Sequence, residues 1–312
     1  MIDISAIIVN CNTKQFIAEC VQSMLEYRGQ YTLEIIVIDN ASEDGSALAL
    51  REQFHEIKII ENNHNVGFAR ANNQGIEIAQ GRYVCLVNSD IKFIQDCFSQ
   101  MLSYMEQHSD VGMLGPKLLW QDRSLQWSCR KYPSLWNTLC PALGLNSIFP
   151  RSSFFSSEHM GYFGHDRIIC VDVIVGAFMF VRRLALEQVG KMDDVFFMYC
   201  EEVDWCKRFA AFGWKIGFFP KAEVIHYGCG SSSMGSARFV KEYCISNLRY
   251  WRKYHSGIKE LLFRLLLILR YLLRLPIWAM LILLMPQKRA IYKEKVCLAI
   301  SGLSVLVMPR KY

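Results

Sequence analysis

Within the first ninety residues, short β-branched runs alternate with segments of helical spacing, and three of those runs stop at a polar cluster. Residues 5–9, 33–38, 57–61 and 83–87 read as strands. Between the first two, Ile17, Val21, Met24 and Leu25 share one face of a helix over 17–27, and further helices are expected over 46–54 and 68–79. Few folds accept this alternation. It predicts a mostly parallel α/β sheet with helices on both faces. Such sheets bind ligands beyond the carboxyl ends of their strands. Asn10-Cys11-Asn12, Asp39-Asn40-Ala41-Ser42 and Asn88-Ser89-Asp90 each stand at such an end, so one rim of the sheet should gather them.

Downstream, a helix is expected over 97–108 and a strand over 112–119. The stretch 121–166 is rich in Ser, Pro and aromatics and has no clear period, which suggests a binding loop or lid. Strand character returns over 171–182 around Gly176, a helix with an acidic first turn over 201–212, and strands over 214–219 and 222–227, the last carrying His226. From residue 239 the character changes. An aromatic, basic helix is expected over 239–254, followed by a strongly apolar stretch over 261–285 that carries Arg264, Arg270 and Arg274, with Pro276 as a breaker. A spanning helix needs about 20 apolar residues, and an arginine at mid-bilayer costs about 2.5–3.5 kcal/mol on insertion scales. Residues 275–285 are too few to span. The expectation is an in-plane anchor with its arginines at anionic head groups, joined by a second apolar segment over 296–308. A helical pair that covers the preceding domain or forms a dimer contact is the plainer alternative.

A chain of 312 residues with 52% hydrophobic composition can bury a large core, which excludes general disorder. The net charge is +6, but basic residues cluster between Lys241 and Arg289 among apolar ones, a pattern suited to a membrane surface. No nucleic-acid signature accompanies them. The twelve cysteines are scattered without a Cys-x-x-Cys pair, and no charged leader followed by an apolar core opens the chain. Reduced thiols in the cytosol are the expectation.

The polar clusters suggest chemistry. Asp90 at a strand end can hold a divalent cation that grips a diphosphate, although Asn-Ser-Asp by itself is more often a turn with a helix cap. Asp39 can accept from a nucleobase or ribose, or can merely close an Asx-turn. Arg70 and the Asn72-Asn73 pair offer contacts to phosphate and sugar hydroxyls. Glu201, Glu202 and Asp204 follow the aromatic run 196–199, and a carboxylate against apolar surface becomes a useful general base; the helix dipole alone also favours acids there. His226 can serve as a metal ligand or a structural histidine.

In order, the blocks are Ile7-Ile8-Val9-Asn10-Cys11-Asn12, Val37-Ile38-Asp39-Asn40-Ala41-Ser42, Asn65-Val66-Gly67-Phe68-Ala69-Arg70-Ala71-Asn72-Asn73, Leu86-Val87-Asn88-Ser89-Asp90, Gly176-Ala177-Phe178-Met179 with Arg182-Arg183, and Phe197-Met198-Tyr199-Cys200-Glu201-Glu202-Val203-Asp204-Trp205-Cys206. From residue 4 to 233 they resemble glycosyltransferase family 2, and most closely its rhamnosyltransferase-like bacterial branch. The resemblance implies a GT-A fold, with a Rossmann-like central sheet and flanking helices over residues 1–238. Residues 239–312 would form a helical, membrane-associated region. It implies an inverting transfer from a nucleotide-sugar donor to a lipid-linked or glycan acceptor in cell-surface polysaccharide biosynthesis, at the cytoplasmic face of the bacterial inner membrane. dTDP-rhamnose is the first choice of donor. Asp39 would bind the nucleoside, with Asn10, Arg70, Asn88 and Gly176 also on the donor. Asp90, and His226 as in some relatives, would hold Mg²⁺ or Mn²⁺. Asn88 stands where the family's metal motif has its first Asp. Glu202 would be the base, with Glu201 as the fallback. A nucleotidyltransferase is disfavoured because residues 10–14 form no glycine-rich phosphate loop. A catalytically inactive sugar-binding protein is disfavoured because it would have no need of both Asp90 and the glutamates.

Overall fold

The computed structural model describes residues 2–228 and 236–308, so Cys229 and the last residues of the family-like stretch lie outside the described residues. β1 (Ile4–Asn10), β2 (Leu33–Asp39), β3 (Lys58–Glu61) and β4 (Tyr83–Asn88) alternate with α1 (Lys14–Glu26), α2 (Ser46–Gln53) and α3 (Phe68–Ile78). There follow β5 (Ile91–Phe93), α4 (Cys97–Gln107), β6 (Val111–Leu119), β7 (Leu125–Gln126), β8 (Cys129–Arg130), α5 (Leu135–Ala142), α6 (Leu145–Ile148), β9 (Ile169–Cys170), β10 (Val173–Ile174), β11 (Phe178–Arg182), α7 (Arg183–Val189), α8 (Glu201–Ala211) and β12 (Lys215–His226). The chain ends in α9 (Ala237–Tyr254), α10 (Gly257–Leu284) and α11 (Arg289–Val307).

Among the described residues the main sheet runs β3-β2-β1-β4-β11-β6-β12-β5, with β7 beside β6 and β9 beside β12. β1 pairs in parallel with both β2 and β4, and β2 with β3. β11 is antiparallel to both neighbours, and β6 and β12 are parallel again. Every residue of β1 is buried, as a strand covered on both faces must be, and α1 turns Ile17, Cys20, Val21 and Met24 inward at helical spacing. Gly75 lets α3 lie close on β1: a Cβ there would come 2.4 Å from Ile7 Cγ2. The chain leaves β1 towards β2 and β3, then crosses back to β4 on the other side. That reversal makes the end of β1 the switch point of the sheet, where a crevice opens.

Two compact units interleave along the sequence. The first, built on the sheet, takes residues up to 131, 164–197 and 201–228. The second takes 132–163, 198–200 and the described residues from 236 onward. The stretch 121–166 is therefore not one irregular loop; it supplies β7 and β8 to the first unit and α5 and α6 to the second. Pro276, expected to end a helix, sits inside α10, which runs 28 residues, about 42 Å. Strand 171–182 is also broken: Gly176 lies in a turn between β10 and β11.

Candidate active site

The ends of β1 and β2 are tied by one buried amide. Asn10 and Asp39 are paired in register, and Asn10 Nδ2 donates to Asp39 Oδ1 at 2.7 Å, with Ser42 Oγ at 2.9 Å and Ser46 Oγ at 2.7 Å also within reach. Its own carbonyl accepts from Thr13 at 2.5 Å. Asn10 is fully buried, so it holds Asp39 in place rather than facing the crevice. Asp39 Oδ2 accepts from the Ser42 backbone N–H at 3.0 Å. A carboxylate has about four acceptor positions, so these bonds leave it capacity for a ligand. The turn needs Ala41 at φ 62°, a left-handed conformation that the Asp39–Ser42 bond helps to close.

At the end of β4, Asp90 is buried and its Oδ1 lies 3.3 Å from His226 Nε2. The same nitrogen is 3.4 Å from Asn88 Nδ2, and His226 Nδ1 is 2.7 Å from Gln126 Oε1. β5, which the sequence reading did not separate, explains the convergence: it turns back after Asp90 and pairs Ile91 with His226. If Nδ1 donates its proton to Gln126, Nε2 presents a lone pair towards Asp90, the tautomer a metal ligand requires. Among the described residues no group of three or more His, Cys, Asp or Glu gathers in a metal-holding arrangement. One carboxylate, one imidazole and an amide suit a cation that takes its remaining ligands from phosphate and water.

The acidic turn at the head of α8 separates into three environments. Asp204 is fully buried and bonds Arg208 Nε at 2.9 Å, so it anchors the helix. Glu201 is buried; desolvation, reinforced by the negative charge of Glu202, pushes its carboxyl well above the usual carboxylate range. Glu202 is half-buried, and a Cβ on Gly176 would lie 3.5 Å from Glu202 Cβ. Next to Gly176, Ala177 O accepts from Asn88 N at 2.9 Å. Gly176 thus lies near Glu202, while its neighbour Ala177 is bonded to Asn88, which meets His226 as Asp90 does.

Arg70 is exposed and lines a pocket of about 320 Å³ with Glu61, Asn62, His64 and Gln74, beyond the end of β3. Asn62 N donates to Asp39 O at 2.8 Å, which makes this pocket the neighbour of the β2 end. The expected sugar contacts at Asn72 and Asn73 do not survive. Asn72 Nδ2 donates to Phe68 O, and Asn73 spends its amide on both backbone groups of Met192. Thr13 and Ser46 were missed, since single hydroxyls carry no periodic signal.

A doubly wound sheet with buried carboxylates at its switch point places the chain in the α/β class. Within that class the chain belongs to glycosyl transferase family 2, whose profile matches residues 5–164, and it is a glycosyltransferase. It is similar to the N-acetylglucosaminyl-diphospho-decaprenol L-rhamnosyltransferase of Mycobacterium tuberculosis, 26% identical over 236 residues that cover 72% of this chain and 76% of the relative. Rhamnosyltransferase WbbL of Escherichia coli is 27% identical over 196 residues, 59% of this chain and 69% of that one. Among solved structures, mannosyltransferase PcManGT from Pyrobaculum calidifontis, in complex with GDP-Man and Mn²⁺, matches with TM-score 0.56 and 16% identity over 97% of this chain and 86% of that one. GalNAc-T7 with UDP, GalNAc and Mn²⁺ matches with TM-score 0.58 and 14% identity over 80% of this chain, which spans 48% of that protein. These likenesses establish the GT-A fold.

Proposed function

We propose that the chain transfers rhamnose, with inversion, from dTDP-rhamnose to a lipid-linked acceptor in cell-surface polysaccharide biosynthesis. The rhamnosyltransferase relatives support the sugar and the acceptor class. Asp39, oriented by Asn10, accepts from the nucleoside, and Arg70 pairs with donor phosphate. Asp90 and His226, with Asn88 beside them, hold Mg²⁺ or Mn²⁺, which when bound supplies charge neutralisation to the departing diphosphate. Gly176 keeps backbone close to the sugar.

Glu202 takes the proton from the acceptor hydroxyl. That oxygen forms its bond to the anomeric carbon as the carbon–oxygen bond to the nucleoside diphosphate breaks on the opposite face. One displacement needs no enzyme nucleophile. Glu201 is the lesser candidate because its side chain is buried, with only 5% of the residue exposed to an incoming acceptor. The observation that carries the reading is the nearness of Glu202 to Gly176, whose neighbour Ala177 accepts from Asn88 N at the end of β4. Glu202→Gln should retain donor binding by calorimetry in Mn²⁺ while transfer falls about 10²–10⁴-fold, the usual scale of general-base catalysis. A Glu202→Gln enzyme with full turnover would sink the assignment.

The second unit is read as lying on the cytoplasmic face of the membrane. α10 has a mean hydropathy of 1.9 over its most apolar window and buries only 6% of it, with Leu261, Leu265, Leu272, Ile277 and Leu283 exposed. Two of its arginines are engaged within the unit, Arg264 on Met308 O and Arg274 on Pro141 O. Head-group contact is therefore assigned to the exposed Lys288, Arg289, Lys293 and Lys295.

A further inference from the structure

We propose that Ser246 and Tyr243 of α9 are positioning residues for the acidic pair at the head of α8, acting through the backbone of residues 198–200. The inference rests on the reading of Glu202 as the base. Directly before Glu201, Tyr199 and Cys200 adopt φ 70° and 67°. Two successive non-glycine residues in the left-handed region are costly and persist only where their surroundings hold them. The preceding carbonyls are both fixed: Phe197 O accepts from Phe68 N at 2.7 Å, and Met198 O accepts from the fully buried Ser246 hydroxyl at 2.7 Å. The Tyr199 ring meets Tyr243 edge-on, with centroids 5.7 Å apart. Tyr243 and Ser246 stand three residues apart, on one face of α9.

The chain leaves the sheet unit after Phe197 and re-enters it at Glu201, and the three residues between belong with α9. The rest of α8 is secured elsewhere, by Trp205 Nε1 on Gly190 O and by Arg208 on Val189 O and Lys191 O. The left-handed pair sets the direction in which the chain enters the first turn. Loss of the Ser246 bond lets that pair relax towards extended backbone and swings Glu201 and Glu202 with it.

The test uses the full chain and compares Ser246→Ala with Ser246→Thr. Ser246→Ala should lower kcat at least about tenfold, since small misplacements of a reacting group are costly, and leave donor KM within about twofold. It should also shift the acid limb of the pH–kcat profile and raise hydrogen exchange at the amides of residues 197–205. Ser246→Thr should recover most of the rate. Should Ser246→Ala not accumulate as folded protein, Tyr243→Leu, which leaves the Ser246 hydroxyl in place and removes the ring against Tyr199, is measured instead. Faster exchange with kcat and pH profile unchanged would make the contact merely structural and overturn the proposal; unchanged exchange would do so too. Failure of the base assignment shows separately, as Glu202→Gln that still transfers in the unaltered background.

Discussion

Two adjacent glutamates with one sequence context differ in burial: Glu201 is buried and Glu202 half-buried. The Glu201 carboxyl is raised well above its usual range because its carboxylate would lie dry beside the charge of Glu202. The folded state therefore binds a proton that the unfolded chain releases above its ordinary value of 4.5, and stability falls as pH rises from there towards the raised folded value. Glu201→Gln removes this penalty. Its melting temperature should match the wild type near pH 4 and exceed it increasingly towards pH 8; equal slopes in a pH series of melts would contradict the burial argument. A second residue-scale expectation concerns Gln126, whose carbonyl oxygen lies 2.7 Å from His226 Nδ1. Gln126→Leu should weaken Mn²⁺ binding, followed by electron paramagnetic resonance, about 10–100-fold, as loss of an outer-shell partner does. Neither effect was legible in the sequence. The acidic turn was visible, but the register of the base was not, because exposure depends on which neighbour covers each side chain.

At the scale of elements, the sequence was informative where periodicity is local. β1 to β4 and α1 to α4 lie within a residue or so of their expected ends, except that α1 begins three residues earlier. Short or composite elements escaped. β5 has three residues, and β12 joins two expected strands across an irregularity between Phe219 and Glu223. Pro276 was read as a breaker from its missing N–H, yet α10 continues through it, leaving the Leu272 carbonyl without its usual helical donor. α3 packs closely on β1 at Gly75. Gly75→Ala should gain helix propensity but lose more to the clash with Ile7, for a net destabilisation of about 1–3 kcal/mol in urea melts. A neutral or stabilised variant would mean that α3 can shift outward without cost.

For the molecule as a whole, charge and apolar surface are segregated. From Arg238 onward the chain has fifteen Lys and Arg against three Glu, so the remainder is net acidic. Exposed cations near an anionic leaflet contribute about 1 kcal/mol each. The full chain should float with vesicles containing phosphatidylglycerol far more than with pure phosphatidylcholine, and less in high salt. Replacing Lys288, Arg289, Lys293 and Lys295 by Ala should reduce that binding; indifference to lipid charge would return α10 and α11 to the alternative of a protein contact.

The sequence by itself determined the alternation of the sheet, the polar ends of β1, β2 and β4, the acidic turn and the apolar tail, because each is written in residues close enough to share one element. Only the tertiary structure decided that Asn10 serves Asp39, that Asp204 anchors a helix, that Glu202 rather than Glu201 sits beside Gly176, and that α9 grips the backbone before them. Apart from the Asp204–Arg208 pair, which lies within one helix, those outcomes depend on contacts between residues 26 to 48 positions apart. No local pattern encodes which side chain will be left facing water.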